Sequence, residues 1–313
     1  GGKGNETENK NYIIAEARAI RAWSYRHLTY LWGDVPLSLV ESSGASIKTD
    51  WERTPVKQVR QQIIDDLLFA EQHIPVEPVP GRMSKGAVQH LLAEMFLVLK
   101  DPGKALQWTD KVINTPAYRL VTERYGIKAD QPGVPFMDMF YQVNKNREEG
   151  NTEALWVWQF GFQLIGGGTN PRARALHLQR YMDIKIGKVQ PLQITFERGG
   201  RGKAYTAPTK WFMEIYEKKD DRFSNHAVRQ WFILNTADQN TPAKADKLPE
   251  GYSYGDTIKL NWSVPLNAAT WERNDWPFSR KHEGSIPDDV ASDFNYDDYI
   301  AMRLADTYLL KAE

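Results

Sequence analysis

Three segments of the chain set an alanine and an aromatic residue three positions apart within runs of helical periodicity: Ala22-x-x-Tyr25, Ala93-x-x-Phe96 and Ala305-x-x-Tyr308. Residues three apart share a helix face. Each pair therefore places a small side chain, against which a neighbouring helix can approach closely, beside a ring that fills the space one turn on. In the second copy a further small residue, Ala105, follows on the next helix; in the first copy Asp34 stands at the equivalent position and a long loop intervenes. A chain built on this unit is constrained to stacked helix pairs.

The hydrophobic periods agree. Ile13, Ala17, Ile20, Leu28 and Leu31 recur at three- and four-residue steps and predict a long first helix with these residues as its buried stripe. Gly33-Asp34-Val35-Pro36 closes it. A second helix is expected from a Thr54-Pro55 cap, with Val56, Val59, Ile63, Leu67 and Ala70 inward. A third runs from a Ser84 cap through Ala87, Leu91, Leu92, Met95 and Phe96, and a fourth follows Asp101-Pro102 with Ala105, Leu106, Val112 and Ile113. The small–aromatic–small spacing is that of a tetratricopeptide repeat. Most of the 17 prolines fall between these helices and residue 295. Within that region Trp156, Trp158, Phe160, Phe162 and Leu164 share one parity, as do Ile258, Leu260, Trp262 and Val264, which predicts short strands. Thr209 to Lys218 predicts a short helix, and Tyr299 to Glu313 returns to a helical period through Ile300, Leu304 and Tyr308. The expected fold is mainly α: tetratricopeptide-like repeats over 1–119, a large irregular, loop-rich insertion with a few short strands and short helices over 120–295, and a returning helix over 296–313.

Composition narrows the function. Forty basic and forty acidic residues are mixed along the 313, with no basic stripe of the kind phosphate neutralisation requires, so nucleic acid is not an expected partner. The longest apolar runs, Met95 to Leu99 and Ala154 to Trp158, are far too short to span a bilayer. Zero cysteines remove disulfides and thiolate chemistry. Gly251-Tyr252-Ser253-Tyr254-Gly255 fits the nucleophile-elbow spacing, but Lys247-Leu248-Pro249-Glu250 precedes it and an alternating strand follows, the reverse of the strand-then-helix context that exposes the serine. Gly202-Lys203 lacks the following hydroxyl and the first glycine of a phosphate loop, since Ala204 and Glu197 stand there. Asp293-Phe294-Asn295-Tyr296-Asp297 opens like a calcium loop, yet Asp298 replaces the turn glycine and Leu304 the bidentate glutamate; these acids are expected to cap the last helix instead. No histidine pair has metal-ligand spacing. No catalytic residue, metal or cofactor is nominated.

Eleven Trp among 37 aromatics, in a chain of zero net charge, point to stacking surfaces as well as core. A sugar ring offers an apolar C–H face to an aromatic ring while polar side chains bond its hydroxyls. The densest cluster of these types, Tyr252, Tyr254, Trp262, Asn267, Trp271, Arg273, Asn274, Asp275 and Trp276, forms the candidate ligand site. Trp156 and Trp158 lie on a regular strand and are expected in the core.

Taken in order, the segments are more specific than any one of them. Glu16-Ala17-Arg18-Ala19-Ile20-Arg21-Ala22-Trp23-Ser24-Tyr25 leads to Leu28 and then to Trp32-Gly33-Asp34-Val35-Pro36-Leu37. Ile63-Ile64-Asp65-Asp66-Leu67, Gly81-Arg82-Met83-Ser84-Lys85-Gly86-Ala87, Asp101 to Ile113 with Tyr118-Arg119-Leu120, Pro208 to Phe223, and Arg303-Leu304-Ala305-Asp306-Thr307-Tyr308-Leu309-Leu310-Lys311-Ala312-Glu313 follow. This order resembles the SusD/RagB family of outer-membrane nutrient-binding lipoproteins. The resemblance implies capture of oligosaccharides, without catalysis, on the extracellular face of the outer membrane, for import through a SusC-like TonB-dependent transporter that the helical repeats dock. It also implies a lipid anchor, an anchoring cysteine and a closing helix pair, none of which is in these residues, so a fragment lacking both ends is expected. The family's ligand contacts are not in its shared signature, and none is carried across. The other readings are a peptide-capturing member of the same family, a hydrolase resting on Ser253, and a free tetratricopeptide adaptor with an open groove.

Overall fold

The computed structural model describes residues 5–41, 43–44, 47–168, 172–240, 243–260, 276–284 and 290–313. In chain order its main elements are α1 (Glu6–Trp32), α2 (Val56–His73), α3 (Lys85–Val98), α4 (Pro102–Ile113), α5 (Pro135–Asp138), β1 (Ala154–Trp158), α6 (Ala173–His177), α7 (Lys210–Glu214), β2 (Val228–Arg229), β3 (Trp231–Ile233), β4 (Thr257–Lys259), β5 (Phe278–Ser279), β6 (Tyr299–Arg303) and α8 (Leu304–Ala312). The fold is mainly helical, and two compact units divide the chain: Gly1–Leu120 with Thr152–Trp158 and Ile300–Glu313, and Val121–Asn151 with Gln159–Tyr299.

The first unit holds α1 to α4, β1 and α8. The buried face of α1 is not the predicted stripe. Ile13, Ile20 and Leu31 are 65%, 51% and 69% exposed, whereas Ala15, Ala19 and Ala22 are buried. Small side chains let α2 lie close, and the buried Asp66 of α2 meets Arg21 of α1 through two 2.7 Å hydrogen bonds, which directs that face inward. Gly33 ends α1 at φ +68°, donating its N–H to the Thr29 carbonyl. The α2 cap also differs: Asp34, not Thr54, receives the Val56 N–H at 2.7 Å, so the residue that follows one helix caps the next. Ser84 caps α3 as expected, accepting from Ala87 N–H at 3.1 Å and donating to the Leu155 carbonyl at 2.6 Å. Asp101 caps α4 through Lys104 N–H.

Three tryptophans meet in this core, Trp23 edge-on to Trp156 and Trp158 with ring centroids 5.6 and 5.4 Å away. The strand that carries Trp156 and Trp158 stops at Trp158; beyond it Gln163 takes a positive φ and Gly161 donates to the Gly167 carbonyl in a turn. Residues 299–303, expected helical, instead form β6, which pairs with β1. The helix begins only at Leu304, whose N–H bonds to the Glu153 carbonyl. No side chain caps it, so the acids at 293–298 do not play the predicted role. On α8, Leu304 and Thr307 are buried but Tyr308 is exposed, and the third alanine–aromatic pair does not fill a helix interface as the first two do.

The second unit is short elements and loops around Leu178, Tyr181, Leu192, Phe232, Leu234, Ile258, Leu260 and Phe278. β3 and β4 pair antiparallel with Phe232 opposite Ile258, both buried, while their neighbours in register are exposed. β2 pairs with β5 in the same sense. The predicted 209–218 helix is shorter, from its Thr209 cap to Glu214.

Candidate functional site

Loops lacking a sheet ladder must satisfy their backbone groups elsewhere. In the second unit buried cations do this. Arg174, fully buried, donates to the carbonyls of Gly284 at 3.1 Å, Ser292 at 2.6 Å and Phe294. Arg198 holds Asp246 at 2.8 and 2.7 Å, and Asp246 also receives the Gln193 and Asn235 N–H groups. Arg229 grips Glu283 at 3.0 and 2.8 Å; burial, then the nearby Arg280 charge, lowers its pKa to about 10.

This framework fixes a shelf at 199–206. Gly199 and Gly200 take φ of +81° and +79°, a turn that disfavours side chains. Gly200 accepts from Tyr181 Oη at 2.8 Å, Arg201 N–H donates to Val290, Ala204 N–H to Leu178 and Thr206 N–H to Leu176. At Gly202 a methyl group would overlap the Leu178 and Gln179 carbonyls. Between this shelf and residues 180–183 lies a cleft of about 340 Å³, lined by Arg180, Met182, Asp183, Arg201, Lys203 and Tyr205 around Gly202. Tyr205 is 54% exposed. A second, more open cleft of about 550 Å³ runs from Ile215 to Arg222. There the Tyr216 ring is occupied by Phe223, stacked at 5.9 Å, and by the Arg222 guanidinium at 5.2 Å. Trp211 on α7, by contrast, is 70% exposed.

Of the nine nominated ligand residues, Trp262, Asn267, Trp271, Arg273, Asn274 and Asp275 lie outside the described residues. Tyr252 is partly buried against the core of the second unit. Tyr254 is partly exposed, with its hydroxyl donating to the Asp246 carbonyl at 3.2 Å. Trp276 is 2% exposed and its indole N–H bonds to the Pro208 carbonyl at 2.7 Å, the signature of a packing anchor. Ser253 sits in a turn, its own N–H bonded to Asp256, with irregular backbone over 243–249 leading into it and β4 after it. Asp293 is held by Arg172 and Lys203, Asp297 by Lys145, and Asp298 by Asn146 and the Phe160 N–H. Sequence reasoning missed Arg180, Arg201, Lys203 and Tyr205 as a group. The run Gly199-Gly200-Arg201-Gly202-Lys203, with two cations interleaved with three glycines, was the available signal; the partner residues come from a separate segment.

Residues 2–97 match the SusD-like family model described as "Starch-binding associating with outer membrane". Over this first third the chain resembles the SusD-like family in sequence, and over nearly its whole length it shares the fold of solved SusD-like proteins. Among curated relatives it is 30% identical over 166 residues to SusD-like protein P2 of Formosa agariphila, an alignment covering 52% of this chain and 30% of that protein. Among solved structures it superposes with a TM-score of 0.62 and 20% identity on a laminarin-binding SusD-like protein, over 99% of this chain and 60% of that one. It likewise matches surface glycan-binding protein A of Bacteroides thetaiotaomicron, solved with laminarihexaose, at a TM-score of 0.60 and 17% identity, over 99% of this chain and 58% of that one. The chain thus spans less than two thirds of the length of these relatives. Among the described residues no helix is long and apolar enough to cross a membrane.

Proposed function

We propose that this protein captures oligosaccharides at the outer surface of the outer membrane, by binding without bond-making, and passes them to a TonB-dependent transporter docked by the helical unit. The observation that carries the reading is the exposed Tyr205 ring at the rim of a cleft that also presents the hydrogen-bonding side chains of Arg180, Asp183, Arg201 and Lys203 beside Met182. An aromatic face beside polar groups suits the two-sided chemistry of a sugar. The fold is shared with proteins described as binding laminarin and laminarihexaose, and a third neighbour was solved with a xylogluco-oligosaccharide. The matched family's association with the outer membrane supports anchoring by a lipid and an extracellular location as parts of this reading.

Titration calorimetry against a panel of neutral and acidic oligosaccharides tests this, with Tyr205→Ala and Trp211→Ala beside Tyr254→Ala. Binding of at least one glycan class, weakened by loss of an exposed ring, is the expected result. A folded protein that binds no member of the panel refutes it. The cationic rim of the cleft favours one second reading, peptide capture, which requires that acidic peptides bind and glycans do not.

A further inference from the structure

We propose that the cleft between residues 180–183 and the 199–206 shelf takes a carboxylate-bearing sugar unit, a uronic acid residue of an acidic glycan, with Arg201 as the partner of its carboxylate and Tyr205 as the face on which the ring rests. This names the substrate class of the glycan reading above and depends on it.

The charge distribution is the first argument. Arg180 is engaged by Asp183 at 2.5 Å, and Lys203 by Asp293 at 2.8 Å, an acid shared with Arg172 at 2.8 Å. Arg172, Arg180, Arg201 and Lys203 are four cations set against two carboxylates, Asp183 and Asp293, so an excess of two positive charges remains at the cleft. The Arg201 guanidinium is the group left over: among the described residues its side chain has no hydrogen-bond or ion-pair partner, although its main-chain N–H is bonded to Val290. A concave, cation-rich wall focuses the field on an anion. A guanidinium matches a planar carboxylate with two parallel hydrogen bonds, a recognition that neutral sugar hydroxyls do not call for.

Rigidity is the second argument. The shelf that carries Arg201 is pinned on both sides by backbone hydrogen bonds to Thr195, Val290, Leu178 and Leu176. Ala204, buried between the lining residues Lys203 and Tyr205, holds a φ of +52°, a conformation alanine keeps only where its surroundings impose it. A charge and a ring held in place before the ligand arrives lose little freedom on binding.

The test measures affinity of the purified protein for oligogalacturonate, laminari- and xylogluco-oligosaccharides, sulfated carrageenan oligosaccharides and acidic peptides, at low and high salt. Oligogalacturonate is expected to bind in preference to the neutral glycans, more weakly as salt is raised. Arg201→Ala should weaken it about tenfold or more, the loss expected for a charged hydrogen bond, with an unchanged melting temperature because the side chain holds nothing else. Arg201→Lys should recover only part, since an ammonium keeps the charge and loses the fork. Neutral glycans bound as well as oligogalacturonate, and indifferent to Arg201→Ala, would overturn the inference and leave glycan capture standing. Preferential binding of sulfated glycans or acidic peptides through Arg201 would overturn it too. An absence of any glycan binding would remove both readings.

Discussion

Replacing Ser84 by alanine removes two hydrogen bonds that have different physical origins, and a glycine variant separates them. Ser84 is buried, and its hydroxyl both accepts the Ala87 N–H at the start of α3 and donates to the Leu155 carbonyl of β1. Loss of an N-cap serine to alanine costs about 1 kcal/mol. A buried carbonyl that loses its donor adds about 1–3 kcal/mol. Ser84→Ala should therefore destabilise the first unit by about 2–4 kcal/mol. Glycine at a cap costs only a few tenths of a kcal/mol relative to serine but forfeits the Leu155 bond equally, so Ser84→Gly should be the milder variant by about 1 kcal/mol. Urea unfolding followed by tryptophan fluorescence suits the measurement, because Trp23, Trp156 and Trp158 pack together in the same unit. A Ser84→Ala protein within about 0.5 kcal/mol of the parent would refute the reasoning. Equal losses for alanine and glycine would show that the cap contributes nothing and that only the link to β1 matters.

Three further outcomes follow from the same structure. Asp34→Ala should cost about 1 kcal/mol, with Asp34→Asn nearly neutral, because the side chain serves α2 as a cap; melting temperatures of the two variants check it. Gly202→Ala should destabilise the second unit by about 1–3 kcal/mol, since the methyl group meets backbone carbonyls that cannot move aside; denaturant midpoints read it. His282, stacked on His177 at 4.5 Å, has its pKa drawn from the ordinary 6.5 to about 3, by burial first and then by His177, Lys145 and Lys281. The unfolded chain takes up a proton below 6.5 that the folded one refuses until near 3, so this stability is present at neutral pH and lost as pH falls through that window. The slope is about 1.4 kcal/mol per pH unit, and His282→Gln should flatten the pH dependence of unfolding between pH 6 and 4; identical slopes would refute the assignment.

The sequence revealed those features whose causes are local. The caps at Ser84 and Asp101, the turn at Gly33 and the approximate extents of α2 to α4 each follow from residues adjacent in the chain. The face of α1 did not, because two faces of that helix are apolar. Hydropathy ranks Ile13, Ile20 and Leu31 above Ala15, Ala19 and Ala22, yet close approach to α2 rewards small residues, and the Arg21–Asp66 pair is set by a partner helix that a single periodicity does not contain. β6 was hidden for a related reason. Ile300, Leu304 and Tyr308 satisfy a helical period, but the first of them lies in a strand whose partner, β1, is far upstream. Tryptophan density marked residues such as Trp276 for their type, whereas exposure depends on what the loop folds against.

The cationic cleft and the buried ion pairs of the second unit have a common physical origin. Irregular backbone leaves carbonyl groups pointing in many directions, and an arginine, with five N–H donors in a planar fork, can gather several of them from distant segments. Arg174 does so for Gly284, Ser292 and Phe294, and Arg198 joins its carboxylate partner to the carbonyls of Gln193 and Ile233. Burying such cations is costly unless each finds carboxylate or carbonyl partners, and within this unit Arg174, Arg198 and Arg229 do. Arg201 breaks that pattern: it sits on the same pinned backbone, but its guanidinium opens into a cleft instead of toward carbonyls. An arginine used as a structural clamp is recognised by the groups it holds, so Arg201, whose side chain holds none among the described residues, is where a ligand's anionic group belongs.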